Sequence, residues 1–204
     1  MSHITLWLIR HGQSSSNAGT WIADPQHAHL TPLGMEQAQN AAAAVTRQPD
    51  LIVMSPLQRA RDSAGPIIQA WPNTPRAVWP IQELMYLSPQ KLLQCSPEER
   101  AEKIEAYWQR ADPDYCDGED AESFRGFLTR IQSFFRALQP LSGFIICVGH
   151  GQFFKACELT MTHGMDATSE WMKHFREIEK SSPMHNSEIY RLKLTIEWLK
   201  KQFD

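Results

Sequence analysis

The chain has 204 residues and a formal net charge of -3, which is enough length for one well-buried core and gives no basic surface for nucleic acid or an anionic membrane. No apolar stretch approaches the roughly 20 residues that a spanning helix needs, and the N-terminus has no signal-peptide pattern. We therefore expect one domain, residues 1–204, in a cytoplasmic protein whose partner is a small molecule, with its oligomeric state left open. The four cysteines form no Cys-x-x-Cys pair and are interpreted as reduced thiols.

The elements alternate between short apolar strands and amphipathic helices. We predict strands at 6–9, 51–54, 77–81, 144–148 and 188–198, and helices at 32–45, from 55 onward, from 96 onward, and at 121–138, 152–161 and 171–179. This alternation predicts a three-layer α/β/α sandwich with a mostly parallel sheet and a last strand on an antiparallel edge. Residues 88–120 break the alternation, so we interpret them as a small inserted cap; a plain surface helix with its aromatic residues in the core is the alternative.

Two of the predicted strands end in a histidine. The first leads into Arg10-His11-Gly12 and the second into Gly149-His150-Gly151. If these strands are parallel neighbours, both histidines lie in the crevice at their carboxyl ends. Two further elements point to the same crevice. Ser55-Pro56 looks like a capped start of the helix that carries Arg59, and Glu83 follows the predicted strand 77–81 directly.

Arginines and histidines that converge on one crevice need an anion between them, and a phosphoryl group is the natural candidate. Arg10, Arg59 and His150 are expected to bind its oxygens, with neutral donors from Asn17 and the backbone near Gly12. Neutral His11 is a competent nucleophile toward phosphorus. Glu83 could give the leaving group its proton and then activate water, so this chemistry requires neither metal nor cofactor.

At this point the sequence resembles the histidine phosphatase superfamily, which includes the cofactor-dependent phosphoglycerate mutases. The resemblance rests on these blocks, in the family's order: Arg10-His11-Gly12, Asn17, Leu30-Thr31-Pro32-Leu33-Gly34 with Gln37-Ala38, Ser55-Pro56-Leu57 with Arg59-Ala60 and Ala64, Glu83, Glu122-Ser123, and Val148-Gly149-His150-Gly151. It implies that His11 becomes phosphorylated, that Arg10, Arg59 and His150 complete the phosphate pocket, and that Glu83 is the proton donor. Gly151 belongs to the last block and is included among the expected substrate-binding residues.

The chain also departs from the family pattern. Gln13-Ser14 stands where the family often has Glu-Thr, and 85–88 replaces the Gly-x-Trp-Glu-Gly block that often follows the acid. We predict a metal-independent phosphomonoesterase acting on a small phosphorylated metabolite. The alternatives are a phosphoglycerate-type phosphomutase, a phosphate-binding module without catalysis, and a metal hydrolase that uses His27 and His29.

Overall fold

A computed structural model describes residues 3–19 and 28–203 of the chain. Five strands in these ranges form one sheet in the order β3-β2-β4-β1-β5. The strands are β1 (His3–Arg10), β2 (Leu51–Met54), β3 (Arg76–Val78), β4 (Gly143–Gly149) and β5 (Ile189–Thr195). The helices are α1 (Pro32–Ala43), α2 (Gln58–Ala70), α3 (Pro89–Leu92), α4 (Pro97–Arg110), α5 (Phe124–Leu138), α6 (Gly151–His163), α7 (Ser169–Ser181) and α8 (Ile196–Phe203). None of the helices in the described ranges has the length and apolarity needed to cross a bilayer.

The register of β1 and β4 sets the position of the two histidines. These strands are parallel neighbours at the centre of the sheet, and Arg10 pairs with Gly149. His11 and His150 therefore leave the sheet side by side at its carboxyl edge. β5 pairs with β1 in the antiparallel direction and forms the edge of the sheet, as predicted.

The two faces of the sheet are covered by separate groups of helices. Leu6 and Leu8 of β1 pack in a large cluster with residues from α4 to α8, while Ile9 packs on the opposite face with residues from α1 and α2. This division follows from the alternation of side chains along a strand. The predicted α/β sandwich with a mostly parallel sheet is confirmed.

Three local predictions were wrong. β3 ends at Val78 and not at 81, because the neighbouring strand β2 ends at Met54 and the N–H of Ile81 bonds back to the carbonyl oxygen of Trp79. Glu83 therefore lies in a loop beyond the strand. α2 begins at Gln58 after Leu57, and the hydroxyl of Ser55 does not cap it. The predicted strand 188–198 stops at Thr195, and α8 follows it.

The region 88–120 contains α3, α4 and a turn-rich segment. Ser96 and Glu99 form a capping box at the start of α4, which explains why this helix could be located from the sequence. Its residues Tyr107 and Trp108 are buried in the main core cluster. They also pack against Tyr86, at centroid distances of 4.7 and 5.2 Å.

Candidate active site

His11 is the first residue beyond β1, and its backbone extends the parallel ladder. Its N–H donates to the carbonyl oxygen of Gly149 at 2.9 Å, and the residue is only 1% exposed. Nδ1 of the ring lies 2.7 Å from the carbonyl oxygen of Gly12. Because a carbonyl oxygen can only accept, Nδ1 carries the proton and the lone pair of the neutral ring lies on Nε2.

Arg59 of α2 connects the two histidines. Its Nε donates to Nε2 of His11 at 3.1 Å, and its Nη2 lies 3.3 Å from Nδ1 of His150. The imidazole centroids are 5.0 Å apart. On the far side of His150, Nε2 lies 2.8 Å from the hydroxyl oxygen of Ser55. Since a guanidinium can only donate, His150 accepts at Nδ1 and donates its own proton from Nε2 to Ser55.

Burial and the neighbouring cations keep both imidazoles neutral. Burial lowers the pKa of His11 to about 3, and the charges of Arg59 and Arg10 act in the same direction. The pKa of His150 is also well below its ordinary value, first because of burial and then because of His11 and Arg59. Nε2 of His11 therefore carries no proton at neutral pH, and its lone pair accepts the hydrogen bond from Arg59.

Arg10 and Gly151 lie against each other at the rim of this cluster. Arg10 donates from Nη1 to the carbonyl oxygen of Met184, while its Nε is buried without a hydrogen-bond partner in the described part of the chain. A Cβ at Gly151 would lie 3.2 Å from that Nε. The glycine that follows His150 thus leaves room for the guanidinium of Arg10.

Glu83 reaches the site from the loop after β3. Its Oε1 accepts a hydrogen bond from the backbone N–H of Gln152, at 2.8 Å, in the first turn of α6. Burial raises the pKa of the Glu83 carboxyl, although the charges of Arg10 and Arg59 oppose the shift. A cavity of about 250 Å³ is enclosed by residues of four segments, namely Arg10, Glu83, Leu84, Tyr86, Gly151, Gln152, Lys155, Glu179, Pro183 and Met184.

The loop after His11 is held against the start of α1 by a close approach of two glycines. A Cβ at Gly12 would lie 2.3 Å from the carbonyl oxygen of Gly34, and one at Gly34 would lie 2.0 Å from that of Gln13. Thr31 caps α1 through Gly34 and donates its backbone N–H to Gln13, while Gln37 accepts from the Gln13 N–H at 2.8 Å. The Leu-Thr-Pro-Leu-Gly block therefore holds the segment that carries His11.

Asn17 does not bond directly to the other expected site residues. Its Oδ1 accepts from the N–H and hydroxyl of Ser14, at 3.2 and 3.0 Å, and from the side chain of Asn186 at 3.3 Å. Asn186 also donates to the carbonyl oxygen of His11 at 3.0 Å. The expected donor is thus linked to His11 only through Asn186, which the sequence reasoning missed.

Two serines were missed as well. Ser55 bonds to His150 as described above, and Ser63 accepts from the N–H of Gly12 at 3.0 Å and donates to the carbonyl oxygen of Arg59 at 2.7 Å. Only the spacing of Ser63 from Arg59, one helical turn, could have suggested a link between them.

The pair of histidines considered as metal ligands falls partly outside the described ranges. His27 is not among the described residues, and His29 lies with its Nδ1 3.3 Å from a carboxylate oxygen of Asp62. Within 3–19 and 28–203, no three side chains of His, Cys, Asp or Glu are grouped so that they could hold a metal ion.

Comparison with known proteins gives a family match over most of the chain. A model of the histidine phosphatase superfamily (branch 1) matches residues 6–182. The adenosylcobalamin/alpha-ribazole phosphatases of Salmonella typhi and Escherichia coli (strain K12) are each 28% identical over 179 residues, which is 84% of this chain and 84% of the relative. The glucosyl-3-phosphoglycerate phosphatase of Mycolicibacterium vanbaalenii is 47% identical over 60 residues, or 29% of this chain and 27% of the relative.

Solved structures share the fold. The alpha-ribazole phosphatase from Shigella flexneri superposes with a TM-score of 0.69 at 24% identity, covering 92% of this chain and 89% of that one. A mycobacterial glucosyl-3-phosphoglycerate phosphatase gives a TM-score of 0.66 at 22% identity, covering 94% of this chain and 90% of that one.

Proposed function

Because the chain belongs to the histidine phosphatase superfamily, we propose that it is a phosphomonoesterase that works without a metal ion through a phosphohistidine on Nε2 of His11. The observation that carries the proposal is the 3.1 Å contact between this nitrogen and Nε of Arg59. It places a neutral nucleophile directly beside a permanent cation, which is the arrangement that attack on a phosphate anion requires.

Substrate binding uses the cations that surround His11. Arg10 and Arg59 bind the nonbridging phosphoryl oxygens, and His150 adds a third contact. The unpartnered Nε of Arg10 supports this assignment, because a buried donor without an acceptor is costly until a ligand supplies one. Gly151 contributes by leaving space for Arg10, and Asn17 contributes through the Asn186 bond that holds the His11 backbone.

In the first step Arg59 exchanges its hydrogen bond to Nε2 of His11 for one to a phosphoryl oxygen. The Nε2 lone pair then forms the N–P bond in line with the departing oxygen, and the P–O ester bond breaks. The leaving alkoxide takes a proton from Glu83, whose raised pKa favours the protonated form. In the second step the Glu83 carboxylate removes a proton from water, which attacks phosphorus. The N–P bond then breaks and releases inorganic phosphate and neutral His11.

The alcohol part of the substrate occupies the cavity of about 250 Å³. The substrate class that we propose is a small phosphorylated metabolite, in keeping with relatives that are named phosphatases of alpha-ribazole and of glucosyl-3-phosphoglycerate. We assign residues 88–120 as a cap within a single domain, since Tyr107 and Trp108 pack behind the cavity residue Tyr86. A cytoplasmic location agrees with the free thiols of all four cysteines.

The test is the release of inorganic phosphate from a panel of sugar, amino-acid and glycerate phosphates with excess chelator present. We expect turnover that survives the chelator, is inhibited by vanadate, and disappears in His11→Ala. Rapid quench in alkaline detergent with substrate labelled in its phosphoryl group should trap label on the parent protein and not on His11→Ala. The quench is alkaline because the N–P bond of a phosphohistidine is broken by acid and survives base. An isomeric phosphate ester as product would identify a mutase instead, and tight phosphate binding without turnover of any substrate would identify a binding module.

A further inference from the structure

Arg130 of α5 is tied to the loop that carries Glu83, although it lies outside the cluster of expected site residues. We propose that Arg130 is a positioning residue for Glu83, acting through the backbone of that loop; this inference rests on the proposed role of Glu83 as the acid. Arg130 forms an ion pair with Glu122. Arg130 bonds to the loop before Glu83, and Glu122 bonds to it after Glu83.

The guanidinium of Arg130 uses all three of its nitrogens. Nη1 donates to the carbonyl oxygens of Pro80 and Gln82, both at 2.9 Å. Nε and Nη2 donate to the two carboxylate oxygens of Glu122 at 2.9 and 2.7 Å. Such a forked pair fixes the orientation of both side chains, which a lysine could not do.

Glu122 holds the loop beyond the acid. Its backbone N–H donates to the carbonyl oxygen of Met85 at 2.7 Å. The carbonyl groups of residues 82 and 85 are thus both fixed, and Glu83 lies between them. Its Oε1 is then held by the N–H of Gln152, which leaves Oε2 as the carboxyl oxygen that Gln152 does not engage.

The loop depends on these bonds because it has no regular structure of its own. Residues 79–87 contain neither helix nor strand. The Arg130 side chain, by contrast, is anchored to the core: it is 11% exposed and lies 5.3 and 5.2 Å from the ring centroids of Phe127 and Phe153. One side chain, that of Arg130, therefore connects the loop that carries Glu83 to the packed core.

This role is mechanical and not a matter of charge on the acid. The charged groups that act on the Glu83 carboxyl are those of Arg10, Arg59 and Glu179. Loss of Arg130 should therefore displace the Glu83 carboxyl without changing its protonation and without moving His11.

The experiment compares two substrates of similar size, p-nitrophenyl phosphate and benzyl phosphate. p-Nitrophenolate leaves as an anion at neutral pH, whereas the benzyl alkoxide needs a proton. Rates are compared as kcat/KM, which covers the steps up to release of the alcohol and excludes the later hydrolysis of the phosphohistidine, where Glu83 acts as base for both substrates. We expect Arg130→Lys to lower kcat/KM for benzyl phosphate by about 10-fold or more, within the roughly 10²–10⁴-fold that general acid catalysis supplies. The kcat/KM of p-nitrophenyl phosphate should change less than about 3-fold, because its leaving group needs no proton.

Two further variants keep the test valid if Arg130→Lys folds poorly. Arg130→Met combined with Glu122→Gln removes both charges, so that no unpaired ion remains buried. Arg136→Lys is the matched control, because Arg136 also lies on α5 and donates to a distant backbone carbonyl, that of Phe203, at 2.5 Å. It should leave the ratio of the two turnover rates unchanged.

The decisive comparison places Arg130→Lys in a Glu83→Gln background. A residue that acts only through Glu83 causes no further loss of kcat/KM for benzyl phosphate there. If the two losses multiply, or if kcat/KM falls by the same factor for both substrates, the positioning role is overturned. If Glu83→Gln alone leaves kcat/KM for benzyl phosphate unchanged, the acid assignment itself fails, and that outcome is distinct from the failure of Arg130 alone.

Discussion

The contact between Gly12 and Gly34 gives a direct test of how His11 is held. In Gly12→Ala the new Cβ would lie 2.3 Å from the carbonyl oxygen of Gly34 and 3.0 Å from its Cα. The first distance is about 1 Å inside an ordinary contact of roughly 3.5 Å. Both groups belong to the backbone, so neither can rotate away. Relief requires the start of α1 or the end of β1 to move, and His11 is attached to the latter.

The size of the effect follows from this geometry. Overpacking in a tight site costs about 1–3 kcal/mol, and we expect the upper end because no flexible side chain can absorb the strain. For a chain of this size, about 3 kcal/mol lowers Tm by roughly 6–12 °C. A shift of about 1 Å at His11 would also lower kcat/KM by roughly 10²-fold. Thermal unfolding followed by circular dichroism and phosphate release measures both effects on one sample.

Gly126→Ala on α5 is the control for introducing a methyl group. Its Cβ would lie 3.4 Å from atoms of Glu122 and Ser123, which is an ordinary contact. Replacing a helical glycine by alanine should then stabilise the protein by about 0.5–1 kcal/mol. A Gly12→Ala protein that has the same Tm as the parent and keeps its activity would refute the steric explanation of this motif.

Two further predictions concern the buried histidines. The unfolded chain binds a proton at His11 below pH 6.5, and the folded chain only near pH 3, so stability must fall as pH falls through this window. His11 alone should cost about 2 kcal/mol of unfolding free energy between pH 7 and pH 5; urea denaturation of His11→Gln should lack that loss, and an identical pH dependence would contradict the assigned neutral state. Ser55→Ala removes the acceptor of the His150 Nε2 proton and should destabilise the fold by about 1–3 kcal/mol. Ser55→Thr, which keeps the hydroxyl, should restore most of the loss, and equal stability of both variants with the parent would show that the bond is unimportant.

The sequence predicted those features for which the local residue pattern also determines the position in the fold. The two strands that end in His11 and His150 could be found because buried parallel strands are continuous apolar runs followed by polar residues at the sheet edge. Arg59 could be found because it opens the helix after β2. The alternation of strands and helices predicted the sandwich, and the alternating pattern of 188–198 predicted the edge strand.

The missed features depend on contacts between distant residues. Ser55 precedes a proline, a pattern that favours a helix cap, but the end of β4 lies close enough for His150 to bond to its hydroxyl instead. Asn186 lies 175 residues from His11, and no local signal marks such a bond. α8 was missed because the alternation of 188–195 conceals a change of period: Leu199 and Phe203 are buried one helical turn apart.

The electrostatics of the candidate site match what the first step of the proposed mechanism needs. Arg10 and Arg59 supply two fixed positive charges, the number that a phosphomonoester dianion brings in negative charge. Burial keeps His11 and His150 neutral and favours the protonated form of Glu83, so the proposed nucleophile needs no base and the proposed acid is shifted toward the form that can donate. Burial therefore favours the neutral form of all three side chains, His11, His150 and Glu83.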